Sequence, residues 1–370
     1  MLDPYSLSVF LFFIILGILI YKDRKNIEIK YILVMKRTKR FRNLIDKIAK
    51  LSPIFWKAVG TVAFLVCLFY MVQGTYILFT TQPAVQFVLP TPTATGASGQ
   101  GYILIPFWFW IITIFSILVP HELFHGIMAR AEKIKLKSVG LLLLAIFPGA
   151  FVEPDEKEIK KSKTLTKLRI FSMGSFANFL VSFIVFYTTL YLIWPLSVSP
   201  GIKLINVTEG SPADLAGLKP GMILTEINNN KIIATYTEYL NGSSYFINEL
   251  INVKPNDTVI VKANESYYSL KLGFNEKTNS TYMGITYTPM FNFNPEFFLG
   301  ILIPLLTMIS LFSLAVGIVN ILPIYPLDGG LIVQTIAERF SKKKAKQITK
   351  IITYLVLIVL AYSFLKQFML

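Results

Sequence analysis

Apolar stretches long enough to cross a bilayer recur six times along this chain, at about 5–21, 55–79, 102–129, 168–194, 297–322 and 347–368. Each predicts a membrane helix. The polar stretches between them differ in kind. Residues 22–50 carry eleven Lys and Arg side chains, and 130–169 and 339–350 are basic again. Residues 80–101 carry no charge and contain Pro83, Pro90, Pro92, Gly96, Gly99 and Gly101, which predicts an irregular loop. Lys and Arg collect on the cytoplasmic side of membrane proteins. The pattern therefore predicts 22–54, 130–167 and 323–346 inside, with 80–101 and 199–295 outside. The first apolar run, Leu7 to Ile20, has no basic residue before it and no small-residue cleavage pattern after it. It reads as an uncleaved span with its N-terminus outside.

Residues 199–295 have another texture. They are polar, rich in Asn, Gly and Thr, and near neutral. Alternating runs such as Ile202-Lys203-Leu204-Ile205 and Thr258-Val259-Ile260-Val261 predict strands of one small domain. Five N-x-[ST] sequons fall here, at Asn206, Asn241, Asn256, Asn264 and Asn279, in agreement with an external face.

Composition narrows the class. Of 370 residues, 54% are hydrophobic and 15% charged, against about a quarter charged in soluble domains. This is a polytopic α-helical membrane protein. The net charge of +15 follows the loop asymmetry and reads as a topology signal; no basic segment forms a separate nucleic-acid module. The basic 22–50 segment reads as an anchor at anionic headgroups, and the Phe107-Trp108-Phe109-Trp110 cluster as a lipid-facing belt with some packing. A lone cysteine, Cys67, permits no internal disulfide.

The chemistry concentrates in five residues. The chain has two histidines, and both lie in His121-Glu122-Leu123-Phe124-His125, at the end of the third apolar run. Four residues apart on a helix, the two imidazoles share a face and can reach one ion. Glu122 between them is a candidate general base, and an ionisable residue inside a span is a functional candidate by default. A catalytic zinc takes three protein ligands. With no third histidine, the third ligand is Asp, Glu or Cys. Asp328 stands out, on a bend between apolar segments in Asn320-Ile321-Leu322-Pro323-Ile324-Tyr325-Pro326-Leu327-Asp328-Gly329-Gly330. Two prolines break the fifth span, and two glycines permit a tight path. A membrane metal transporter or sensor, and another HExxH membrane peptidase with a Glu ligand on a later helix, stay open at this point.

The HELFH motif in a span, with Asn-x-x-Pro-x-x-x-Leu-Asp-Gly at 320–329, resembles the site-2 protease family of intramembrane zinc metalloproteases, M50-type. Gly174-Ser175-Phe176-Ala177-Asn178 is similar to the G-x-x-x-N pattern of that family's second core span. The run from Gly210-Ser211-Pro212-Ala213 through Ala216-Gly217-Leu218 and Gly221-Met222-Ile223-Leu224 to Ile227-Asn228 resembles a PDZ domain, with Met222 at the usual Asp position. The resemblance covers roughly 102–340. It implies one Zn2+ per chain held by His121, His125 and Asp328, with Glu122 as proton carrier and Asn320 as oxyanion donor. Asn178 would contact substrate backbone or the metal site. It also implies a membrane-embedded β-element over Lys137–Phe151, which is too short and too Gly/Pro-bounded for a span.

The predicted organisation follows. Residues 1–101 form an accessory region of two spans and a basic loop, and 102–198 the first part of a protease core. Residues 199–292 form an extracytoplasmic PDZ-like domain, 293–340 the second part of the core, and 341–370 a last transmembrane helix. The implied activity is cleavage of transmembrane segments near the cytoplasmic side, as in regulated intramembrane proteolysis. The implied partners are transmembrane protein substrates, lipid, and a peptide or C-terminus at the PDZ-like domain. A PDZ scaffold with a dead site is the non-enzymatic alternative.

Overall fold

A computed structural model describes residues 3–81, 86–193, 201–232, 254–275, 280–290 and 297–368. Its contacts divide the chain into two compact units, Met1–Val185 with Thr307–Leu370, and Phe186–Leu306. Among the described residues, six helices are long and apolar enough to cross a membrane: Pro4–Lys22, Pro53–Thr81, Phe107–Ala131, Thr164–Leu192, Phe298–Ile321 and Ala345–Lys366. These confirm the six apolar runs, with one shift. The third helix begins at Phe107, because Tyr102–Pro106 is a strand.

In the first unit, helix α1 (Pro4–Lys22) starts on Asp3, whose carboxylate accepts the Ser6 N–H, with Pro4 in the first turn. A hairpin follows, β1 (Ile27–Lys30) and β2 (Leu33–Arg37), and then α2 (Lys39–Leu51). The basic 22–50 segment is thus structured. Helix α2 turns Ile45 and Ala49 inward, both fully buried, and Asp46 pairs with Arg130 at 2.5 Å. Helix α3 (Pro53–Thr81) is the second span. The expected irregular loop instead contains β3 (Phe87–Thr91) and β4 (Ala97–Gly99), which flank β5 (Tyr102–Pro106) in a three-stranded sheet. Pro90 is tolerated because β3 is an edge strand.

Helix α4 (Phe107–Ala131) carries both histidines, with Pro120 inside it, one residue before His121. Its first turn is packed rather than exposed to lipid. Phe107 and Trp110 are buried; Phe107 meets Phe12 and Phe13 of α1, and Trp110 meets Phe147. Strands β6 (Leu136–Leu144) and β7 (Phe147–Pro154) then form a hairpin, Leu144 opposite Phe147. Strand β2 pairs antiparallel with β6, so the four strands run β1-β2-β6-β7 and β7 is left at one edge.

A short helix, α5 (Glu156–Lys161), starts on Asp155, whose carboxyl is held below its usual range by the Glu158 and Lys157 amides it accepts from. Helix α6 (Thr164–Thr188) is the fourth span, α8 (Ile303–Ile321) the fifth, α9 (Asp328–Phe340) a short helix after the Pro-rich bend, and α10 (Ala345–Lys366) the sixth. Helix α3 is built into the bundle. Its Cys67 and Met71 pack with Leu168 and Phe179 of α6, Ile321 of α8 and Ile332 of α9.

Where α4 ends, Glu132 is nearly buried. It accepts from Arg169 at 2.7 Å and Thr166 at 3.0 Å, with the Lys57 ammonium at 3.9 Å. One carboxylate thus ties α3, α4 and α6. Glu132→Ala would leave the partly buried Arg169 without its carboxylate, so a loss of about 2–3 kcal/mol is expected, below the full cost of stranding a buried charge. A thermal unfolding series in detergent against the exposed-pair control Glu156→Ala measures it.

The second unit contains a sheet built from β8 (Ile202–Val207), β9 (Ile223–Ile227), β10 (Asn230–Lys231), β11 (Thr258–Ala263), β12 (Ser266–Lys271) and β13 (Ile285–Pro289). The strand order is β12-β11-β9-β8-β13, with β10 beside β9. Ile202, Leu204, Leu224, Val259, Val261 and Leu270 fill one core, as the alternating runs required. A one-turn helix, α7 (Pro212–Leu215), is capped by Ser211. Asn206 sits in β8; Asn241 and Asn279 lie outside the described residues.

Candidate metal centre

His121 and His125 stand one turn apart on α4, as the spacing requires. Their Nε2 atoms are 3.2 Å apart. Asp328, the first residue of α9, brings its Oδ2 to 3.5 Å from His121 Nε2 and 3.3 Å from His125 Nε2. The three side chains thus aim three donor atoms at one point. Donors bound at 2.0–2.1 Å around a tetrahedral ion lie roughly 3.3 Å from one another. The observed separations match that spacing, and a tetrahedron leaves a fourth position open.

Each donor is held from behind. His125 Nδ1 lies 2.7 Å from the Ile170 carbonyl, so the ring donates there and keeps Nε2 free as a ligand atom. Asn178 is fully buried, with its amide nitrogen 3.2 Å from His121 Nδ1 and its amide oxygen without a partner among the described residues. Ser175 Oγ donates to Asp328 Oδ2 at 3.2 Å. All three supports come from one face of α6.

That face comes so close because of Gly174. A Cβ built there would lie 2.2 Å from His125 Nε2 and 2.6 Å from His121 Nε2. Only hydrogen fits. The backbone of the Asp328 bend is equally close-packed: a Cβ on Gly329 would lie 2.0 Å from the Ile321 carbonyl oxygen. The bend is also braced from α10, where the Thr353 hydroxyl accepts the Tyr325 N–H at 3.0 Å.

Glu122 points to the sheet. Its Oε2 accepts the Val152 N–H of β7 at 2.9 Å. The open edge of β7 therefore faces the carboxylate that lies between the two histidines in sequence. Asn320 is half-buried near the end of α8 and makes no hydrogen bond to His121, Glu122, His125 or Asp328. Sequence reasoning did not find Ser175, Val152, the Ile170 carbonyl or Thr353. The first two carried weak signals, since Ser175 lies within the glycine–asparagine run and Val152 just past the β-element.

A histidine pair and a carboxylate, spaced for a small divalent ion beside a free carboxylate, can activate water for hydrolysis. Comparison with known proteins places this arrangement. Residues 109–363 match the family model of peptidase family M50. Over 353 residues the chain is 28% identical to an uncharacterised protein of Methanocaldococcus jannaschii, covering 91% of this chain and 87% of that one. Over 145 residues it is 27% identical to a membrane-bound transcription factor site-2 protease homologue of Arabidopsis thaliana. That match covers 38% of this chain and 26% of the plant protein. The matched span contains all six residues singled out from the sequence, and the chain belongs to peptidase family M50, the site-2 protease family of membrane metallopeptidases.

Proposed function

We propose that this chain is a zinc-dependent endopeptidase that cuts the transmembrane segments of other membrane proteins and releases fragments to the cytoplasm. One observation carries the reading: two imidazole nitrogens and one carboxylate oxygen from α4 and α9 lie 3.2–3.5 Å apart, the separations of a tetrahedral site. His121, His125 and Asp328 would hold the ion. When bound, zinc lowers the pKa of water and polarises a peptide carbonyl. Glu122 takes the proton from the attacking water and later gives it to the leaving amine. The Val152 N–H fixes one of its oxygens and leaves the other for that transfer.

Asn178 acts as a positioning residue. A ligating His121 Nε2 needs its proton on Nδ1, and hence an acceptor there. A half-turn of the amide, which exchanges oxygen and nitrogen, brings in the oxygen that otherwise lacks a partner. Asn320 supplies a hydrogen bond to the oxygen that gains charge during attack.

A helical peptide bond is shielded by its own turn, so the substrate must be unwound. The β7 edge beyond Val152, whose own N–H Glu122 occupies, suits an extended chain added as a fifth strand. The 199–292 domain, read as PDZ-like and extracytoplasmic, would filter bulky ectodomains or hold a trimmed end. The loop charges support a metal centre toward the cytoplasmic side.

Asp328→Ala tests the ligand set. Zinc in the purified protein should fall from about one ion per chain to a trace, with the fold retained by circular dichroism. Undiminished zinc in this variant would move the third ligand elsewhere. Metal-driven flux in liposomes with no proteolysis would favour a transporter.

A further inference from the structure

A cavity of about 400 Å³ lies between α4 and α8, away from the donors described above. Its α4 wall is Trp110, Thr113 and Ile117; its α8 wall is Phe312, Val316 and Val319. Phe107, Trp110 and Ile111 of α4 cluster with Met308 and Phe312 of α8, so the early turns of the two helices lie together. Ile117 is one turn before His121, and Val316 is one turn before Asn320, so both walls lead to the candidate catalytic groups. At the rim, Val319 is 51% exposed, which gives a side entrance from lipid.

The lining is largely apolar, and burial seals the Thr113 hydroxyl oxygen from the cavity.

We infer that this cavity is a specificity pocket for the substrate, taking a bulky apolar side chain, Leu, Met or Phe, next to the cut. The inference rests on the proteolytic reading above. The distance fixes the position. Four helical residues separate Ile117 from His121, about 6 Å along the axis. An extended chain advances about 3.3 Å per residue, so the pocket mouth lies about two residues from the scissile bond. The recognised class is therefore a transmembrane segment with a large aliphatic or aromatic residue two positions from its cleavage point, on the side toward the start of α4.

The test uses the full-length protein with a single-span substrate whose cut site is mapped by mass spectrometry. The residue two positions from the cut is varied among Ala, Leu and Phe. The wild type should prefer Leu or Phe by tenfold or more in kcat/KM, the usual reach of an apolar pocket. Val316→Phe narrows the cavity and should lower the Leu-over-Ala and Phe-over-Ala ratios of kcat/KM at least threefold, whatever its absolute rate. An unchanged preference in this variant overturns the pocket.

A second readout needs no turnover. In a Glu122→Gln background, Val316→Cys should form a disulfide with a substrate cysteine two positions from the cut, and not with one five positions away on the opposite side. The native Cys67 is fully buried and does not compete. Selective cross-linking with no cleavage by the wild type would keep the pocket and sink the protease reading. Cleavage with neither preference nor cross-link would do the reverse, and the absence of both cleavage and cross-link overturns the pocket as well.

Discussion

Glu122→Gln is expected to abolish cleavage of a transmembrane substrate while leaving zinc bound. The substitution keeps the size of the side chain, and its amide oxygen can still accept the Val152 N–H that Glu122 accepts at 2.9 Å. What it removes is the ability to take a proton. General-base catalysis contributes about 10²–10⁴ in rate, so single-turnover cleavage should fall by at least that much. Neither His121 nor His125 changes, and zinc content should stay at about one per chain. A variant that cleaves within a few-fold of wild type would remove Glu122 from the mechanism.

Gly174→Ala is the second large effect, and it involves no ligand at all. One methyl group would sit 2.2 Å from His125 Nε2 and 2.6 Å from His121 Nε2, far inside contact distance. Either α6 moves away, or the imidazoles leave the position that Asp328 completes. Moving α6 also moves Ser175 and Asn178, which support Asp328 and His121. Loss of such supports lowers metal affinity by about 10–100-fold, and displaced ligands should cost more than lost supports. Competition with a zinc chelator measures it, with cleavage falling in parallel. Gly17→Ala on α1 is the matched control. A Cβ there meets nothing within 4 Å, and alanine favours the helix. If both variants hold zinc equally, α6 does not confine the site.

The sequence exposed this site unevenly. The histidines were legible because a four-residue spacing in a helix has one geometric consequence. Asp328 was legible because a carboxylate between apolar segments needs a reason to be there. Gly329 was legible only as a glycine. The expected reason, a tight backbone path, agrees with the structure, where α9 starts against the end of α8, too close for a Cβ. Gly174 belonged to a recognised pattern, but its purpose depends on which helix it faces, and a one-dimensional pattern does not carry that.

The groups that were missed are mostly backbone atoms. The Ile170 carbonyl and the Val152 N–H act through the main chain, so residue identity gives no sign of them. The 22–50 segment concealed its hairpin for a different reason. Eleven cationic side chains dominate its composition, while β1 and β2 are short and their pairing with β6 is long-range. The same applies to the second and sixth spans. Their apolar runs gave length but not role, whereas contacts place Cys67 and Met71 of α3 among α6, α8 and α9, and Thr353 of α10 under the Asp328 bend. Strands 87–91 and 102–106 were obscured by Pro90 and by apolar residues continuous with α4.

The most direct measurement is a zinc titration of chelator-stripped protein with cleavage of a single-span substrate as the readout. Activity should be absent without metal, rise in proportion to added zinc, and level off at about one ion per chain. Asp328→Ala should stay inactive across the same range. Full cleavage by the stripped protein, or an Asp328→Ala curve that overlays the wild type, would contradict a metal site built from His121, His125 and Asp328.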